Sequence, residues 1–197
     1  MIMKKIMFDD RFDLTKGVLH HTKTMTRRIV EFANGFDYKS VQKLDMVLDD
    51  KTGHVVIKDG AAVVARSLYN VGEVVAIAQA YKDIFKDAYH IGLYGRTAGW
   101  TNKLFVKASH MPHHIKITGV IVEHLQNITA EDCSKEGIRT WDHDYNPFPP
   151  AYDFVNSPKS CYETPREAFA TLIDLVSGKG TWDSNPLVWV YSFELIS

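Results

Sequence analysis

A chain of 197 residues, 45% hydrophobic and 24% charged, is long enough to bury one core and reads as a single globular domain. A net charge of −1 argues against a protein that coats nucleic acid non-specifically, and two cysteines, Cys133 and Cys161, give neither a disulfide framework nor a zinc pattern. No apolar run is long enough to span a bilayer, and the amino end lacks the apolar stretch of a signal peptide, which predicts a cytoplasmic protein without a membrane partner.

In chain order, Lys4 to Phe8 is a short strand, and Asp10 or Asp13 caps a helix that carries Phe12, Leu14, Val18 and Leu19 and ends near His20-His21. The run Thr22-Lys23-Thr24-Met25-Thr26-Arg27-Arg28 follows as a strand continued by Ile29 and Val30. It packs three cations and three hydroxyls into seven residues, and guanidinium groups beside hydroxyls suit a phosphate or a nucleobase edge. If it is extended, Lys23, Met25 and Arg27 face one way and Thr22, Thr24, Thr26 and Arg28 the other. An exposed edge strand kept soluble by its charges is the plainer reading.

Residues 31–53 read as irregular, with a short helix or strand around Val41 to Leu48. His54 to Lys58 and Ala61 to Arg66 flank Asp59-Gly60, the pair expected in a type I′ hairpin turn. Glu73 to Gln79 suits a strand buried on both faces. From Tyr81 to Trp100 periodicity fails while Tyr81, Phe85, Tyr89, Tyr94 and Trp100 interleave with Lys82, Lys86 and Arg96; these aromatics either stack bases or anchor a long loop to the core. Lys103 to Lys107 reads as a strand. His110, His113 and His114 lack a neighbouring acid or cysteine at ligand spacing, so no metal is expected there.

Ile115 to Leu125 is a long strand with a bulge at Gly119. Thr129 caps a short helix closed by Gly137, and residues 139–162, which hold four of the seven prolines, form a loop or lid. Thr164-Pro165-Arg166-Glu167 is a full capping box for a helix that carries Ala168, Phe169, Leu172, Ile173 and Val176 on one face and stops at Gly178. Leu187 to Ile196 is the last strand, with Trp189, Tyr191 and Phe193 alternating with Val188, Val190 and Ser192.

Charge is distributed unevenly along this order. Residues 1–28 hold seven Lys or Arg against three acids and 96–116 hold four against none, whereas 129–163 hold seven acids against three cations. If the two basic stretches meet, they form a basic face on a neutral protein; otherwise they solvate separate surfaces. About seven strands with two or three helices at the rim predict an α+β protein built on a small, mixed, mostly antiparallel β-barrel, with insertions at about 31–68 and 139–162.

Several motifs in this order resemble the phage and prophage branch of the ASCH family, within the PUA-like superfamily of small β-barrels. They are Lys23-Thr24-Met25-Thr26-Arg27-Arg28, Tyr69-Asn70-Val71-Gly72-Glu73, Ser109-His110-Met111-Pro112, Val122-Glu123-His124-Leu125-Gln126-Asn127-Ile128-Thr129 with Glu131-Asp132 and Glu136-Gly137-Ile138, and Trp182-Asp183-Ser184-Asn185-Pro186. The resemblance covers most of the chain outside the two insertions and implies a barrel with a cleft that binds RNA or modified nucleosides. One branch is similar to a small amidohydrolase that removes the acyl group of acetylated cytidine with a lysine, a threonine and a glutamate. Lys23 and Thr26 fall on the first two positions, although strand alternation points them to opposite faces. Lys116 takes the position of the glutamate, the nearest acid in that strand is Glu123, and Gln79 stands where phage-type members often carry an acid.

The favoured expectation is a non-catalytic module for RNA or a nucleotide-like ligand, with no cofactor, that binds through Lys23, Thr24, Thr26, Arg27, Arg28, Gln79, Trp100, Lys107, Ser109 and Lys116. The alternative is an amidohydrolase with Lys23 as base, Thr26 as nucleophile and Glu123 in the third role. A third is an accessory protein that binds a host protein through residues 139–162.

Overall fold

The large side chains on both faces of the last strand require cover on both sides, and in the computed structural model Leu187–Leu195 is flanked by a strand on each edge and buried along most of its length. The structure describes residues 3–33, 45–49, 52–141 and 150–196. Among these, the strands are β1 (Lys5–Ile6), β2 (Met25–Ile29), β3 (Asp45–Leu48), β4 (Val55–Asp59), β5 (Ala62–Arg66), β6 (Val74–Ile77), β7 (His114–His124), β8 (Arg139–Trp141), β9 (Ala151–Asp153) and β10 (Leu187–Leu195). The α-helices are α1 (Leu14–Leu19), α2 (Tyr81–Ile84), α3 (Ala88–Tyr94), α4 (Ala130–Lys135), α5 (Pro165–Ser177) and α6 (Thr181–Ser184).

The fold is α+β with mostly antiparallel sheets. A five-stranded sheet runs in the order β1-β6-β7-β10-β2, with β1 parallel to β6 and the other pairs antiparallel. Separate from it are the antiparallel sheet β3-β4-β5 and the ribbon β8-β9. Among the described residues no ladder joins the edges β1 and β2, so backbone pairing does not close a barrel. One apolar core draws on Ile6, Ile57, Ile117, Phe154, Phe169, Leu172 and Tyr191, and a smaller cluster gathers Ala76, Ala78, Tyr81, Val106 and Met111.

Local chemistry explains the secure elements. The Thr164 side chain accepts from Glu167 N at 3.2 Å, Pro165 opens α5, and Gly178 follows it at φ 109°. Thr129 accepts from Asp132 N at 3.1 Å and opens α4, which buries Cys133. In β7 the register against β10 slips between Ile117 and Gly119, leaving Thr118 as the extra residue of the bulge.

Other expectations need correction. Residues 103–107 are not a strand: Lys103–Phe105 is a single 3-10 turn capped by Asn102, because its apolar residues Leu104 and Phe105 face solvent and have no ladder to join. The aromatic stretch after Tyr81 is not an open loop but holds α2 and α3; α3 buries none of its residues, so it has no apolar stripe to read. The hairpin turn lies one residue later than expected, with Asp59 paired to Ala62, Gly60 at φ 59° and Ala61 outside the positive-φ region, which excludes type I′. Residues 139–162 contain the β8-β9 ribbon, held by Arg139 donating to both oxygens of Asp153 at 2.8 Å each. The element expected around Val41 to Leu48 is β3 in its last four residues; the rest lies outside the described residues.

Candidate functional site

The polar run 22–28 does not extend as one strand. Thr22 N and Lys23 N both donate to the Gly17 carbonyl, at 2.8 and 3.0 Å, and His21 sits at φ 60°, so the chain is still turning off α1 when it reaches Lys23. Strand alternation begins only at Met25, and the inference that Lys23 and Thr26 point to opposite faces therefore fails. Both line one cavity.

Lys23 is 2% exposed, and its ammonium donates to Glu136 Oε2 at 2.6 Å and to the Glu136 carbonyl at 2.8 Å. Arg27, also buried, donates to Glu136 Oε1 at 3.1 Å, to Glu123 Oε1 at 2.7 Å and to Asp132 Oδ2 at 3.1 Å. Asp132 and Glu136 stand four residues apart, one turn of α4 and its C-cap, so both carboxylates reach the same guanidinium. Glu136 is thereby shared by two cations. Burial pushes the Lys23 ammonium below its ordinary value, Glu136 pulls it back, and Arg28 and Arg27 add to the fall. Burial also opposes the charge of Arg27, but Glu136 and Glu123 outweigh it and hold the guanidinium above its usual range.

Two glycines make room for this arrangement. A Cβ on Gly17 would lie 3.3 Å from Lys23 Cβ. One on Gly137 would lie 3.3 Å from Leu14 Cδ2 and 3.9 Å from Lys23 Cδ, and Gly137 also takes φ 105°, a conformation that side-chain-bearing residues rarely adopt.

The cavity itself measures about 950 Å³ and is lined by Lys23, Thr26, Arg28 and Glu136, by the rings of Phe8, Tyr69, Trp189 and Tyr191, and by apolar side chains of α5. Tyr69 and Tyr191 meet edge to face with centroids 5.2 Å apart; the Tyr69 hydroxyl donates to the Lys5 carbonyl at 2.9 Å, and the Tyr191 hydroxyl accepts from Leu68 N at 2.8 Å. Burial pushes the Tyr69 phenol up to about 12 and raises Tyr191 as well. Three other lining cations are held by protein oxygens. Lys4 pairs with Glu73 at 3.0 Å, Arg66 with Asp49 at 2.6 Å, and Lys5 donates to the Leu104 and Val106 carbonyls at 2.7 Å each. Arg28 differs: its guanidinium donates to the Met7 carbonyl, lies 6.0 Å from the Phe8 centroid, and has no carboxylate partner among the described residues.

Of the residues expected to bind, Lys23, Thr26, Arg27 and Arg28 come together at this cavity. Gln79 lines a second cavity of about 940 Å³. Thr24 does not line the first cavity; its backbone N–H donates to the Lys135 carbonyl at 3.0 Å. Trp100 packs on the smaller apolar cluster, Lys107 N donates to the Tyr81 hydroxyl at 2.9 Å, Ser109 belongs to a 3-10 turn, and exposed Lys116 faces Glu194 at 3.9 Å; these four line neither cavity. Glu123 pairs with Arg27 and lines neither cavity, whereas Glu136, quoted above only within a motif and given no site role, stands against Lys23. Its signal was available: Asp132 and Glu136 share one face of a helix whose start and stop were both legible.

No protein-family model matches the chain, and neither a curated protein nor a solved structure matches it. Among the described residues no helix is long and apolar enough to cross a membrane.

Proposed function

We propose that this protein binds a nucleotide-like ligand in the cavity beside β2 and β10, as a non-catalytic module of the PUA-like kind. The observation that carries the reading is Arg28, a cation without a carboxylate partner among the described residues, on the wall of a cavity whose floor is formed by the buried rings of Tyr69, Trp189 and Tyr191. A guanidinium recognises phosphate, and about 950 Å³ lies within the range of small-molecule sites. Lys23 and Arg27 are withdrawn into an internal ion network, so a concave site for a small ligand is favoured over an open basic face for an RNA backbone. The bridge from Arg28 on β2 to the Met7 carbonyl just beyond β1 supports the PUA-like reading, because it links by a side chain the two edges that a barrel would join. In a thermal-shift series, nucleoside monophosphates raise the melting temperature more than the matching nucleosides do, and Arg28→Met removes the difference. No shift with any nucleotide overturns the proposal.

A second reading, an amidohydrolase on an acylated nucleoside, has its own support. Thr26 and Lys23 line one cavity, burial lowers the affinity of the Lys23 amine for its proton, and Glu136 occupies the third role for which Glu123 was the candidate. Lys23 would take the Thr26 hydroxyl proton as that oxygen attacks the amide carbonyl and pass it to the amine as the C–N bond breaks, leaving an acyl ester on Thr26 that water hydrolyses to acetate, with Glu136 holding Lys23 in its ammonium form in between. Acetate release from acetylated cytidine that stops in Thr26→Ala is its test; no release from the wild-type protein removes it.

A further inference from the structure

The helix α3 is attached to the rest of the protein along one side. His90 stacks on the Phe85 ring with centroids 4.4 Å apart, and Tyr94, one turn on, stacks on the same ring at 5.2 Å. Around the remainder of the helix the apolar side chains meet solvent: Tyr89 is 74% exposed, Ile91 46% and Leu93 53%. A single apolar side chain in water is ordinary, but three on a seven-residue helix that buries none of its residues form a patch.

At about 100° per residue, Ala88 and Gly92 lie one above the other on the side away from Phe85, with Ile91 along one edge and Tyr89 and Leu93 along the other. The result is a shallow, exposed strip with small residues as its floor and large ones as its sides. Nothing among the described residues requires glycine at position 92: its backbone is helical, and a Cβ built on it meets no atom within 4 Å. Glycine inside a helix costs about 1 kcal/mol relative to alanine. A second helix supplies the reason that the chain itself does not, because helix axes approach to about 8 Å only where the side chains between them are small.

Charge selects that neighbour. Lys82, Lys86 and Arg96 flank α3, are exposed, and have no carboxylate partner among the described residues; Lys86 donates to the Lys82 carbonyl at 2.6 Å. Asp87 is occupied as the N-cap, its two oxygens accepting from His90 N at 2.9 Å and from His90 Nδ1 at 2.6 Å, so within this stretch Asp83 alone stands against three cations. A second copy of the chain would bring the same cations to the contact and be repelled, whereas an acidic surface is attracted. We infer that α3 is a docking surface for an amphipathic helix of another protein. The large apolar residues of that helix lie along Ala88 and Gly92, between Ile91 and the pair Tyr89 and Leu93, and its carboxylates face Lys82, Lys86 and Arg96. The inference is independent of the nucleotide reading of the cavity.

Random peptides displayed on phage and selected against the full-length protein supply the probe. Enriched sequences are expected to carry large apolar residues one helical turn apart with Asp or Glu beside them, and the synthetic peptide binds the wild-type protein saturably in titration calorimetry. Gly92→Gln adds a polar side chain to open space, so the melting temperature stays equal or rises, yet the peptide binds at least about tenfold more weakly, the scale of a side chain forced into a packed contact. Lys82→Glu combined with Lys86→Glu also weakens binding, and the difference shrinks at high salt. No enriched sequence, enrichment without acidic residues, or an affinity unchanged by Gly92→Gln overturns the inference. Binding of single-stranded RNA alone also overturns it, by making the surface a nucleic-acid one. So does a dimer in sedimentation that Gly92→Gln dissolves, which makes it a contact between two copies.

Discussion

Glu136 Oε2 lies 2.6 Å from Lys23 Nζ, and the other oxygen of the same carboxylate lies 3.1 Å from Arg27 Nη1. One side chain from the end of α4 thus neutralises two cations that the segment after α1 carries into the interior. Removing a carboxylate from such a pair leaves buried charge uncompensated. Glu136→Ala is expected to cost about 3–5 kcal/mol in urea unfolding, and Lys23→Met less, because in that variant Arg27 still satisfies the carboxylate. Equal costs would show that Glu136 does not serve both partners.

The alkaline limb of stability reports on the cavity floor. The Tyr69 phenol is held up to about 12 in the folded protein against an ordinary value of 10.0. Its contribution is therefore full below the unfolded value and is lost as pH rises through the folded one, a loss of up to about 2–3 kcal/mol across that window. Lys23, whose folded value is lowered, acts with the opposite sign, gaining stability as the pH approaches its ordinary 10.5. The comparison is therefore made by difference. Tyr69→Phe flattens the fall in stability above pH 10 relative to the wild-type protein; an unchanged slope means that the phenol is not shifted.

Gly137 is required by its backbone and by its neighbours. Alanine there meets φ 105° and a contact of 3.3 Å to Leu14 Cδ2. A loss of about 1–3 kcal/mol is expected from such strain, which for a chain of this size lowers the melting temperature by roughly 2–4 °C per kcal/mol. A melting temperature equal to that of the wild-type protein would contradict it.

The cysteines separate by environment. Burial pushes the Cys133 thiol up to about 11, and Cys161 is exposed. Iodoacetamide on the native protein is expected to add one carbamidomethyl group, located at Cys161 by mass spectrometry, and a second only after denaturation. Rapid labelling of Cys133 would place α4 outside the core.

What the sequence reveals follows from how local the physics is. The N-caps at Thr164 and Thr129, the bulge near Gly119 and the two-faced final strand are each fixed by residues within one turn or one pleat, and each is where the pattern puts it. Lys103–Phe105 carries strand-like residues but finds no partner strand, and α3 has no buried face, so neither follows from periodicity. The site was legible in its cations and hidden in their partners. Alternation predicts where Lys23 points only if the strand has already begun, and the turn through His21 postpones that start to Met25. Glu136 lies 113 residues from Lys23, and such a pairing depends on the packing of α4 against β2 rather than on any local pattern.

The most direct measurement is a calorimetric titration of the wild-type protein and of Arg28→Met with nucleoside monophosphates. Saturable binding to the wild-type protein is expected, with a loss of about tenfold or more in the variant, the scale of a charge-assisted hydrogen bond, and no fall in melting temperature. Binding that is equal in the two proteins, or absent from the wild type, would contradict the assignment of this cavity to a nucleotide.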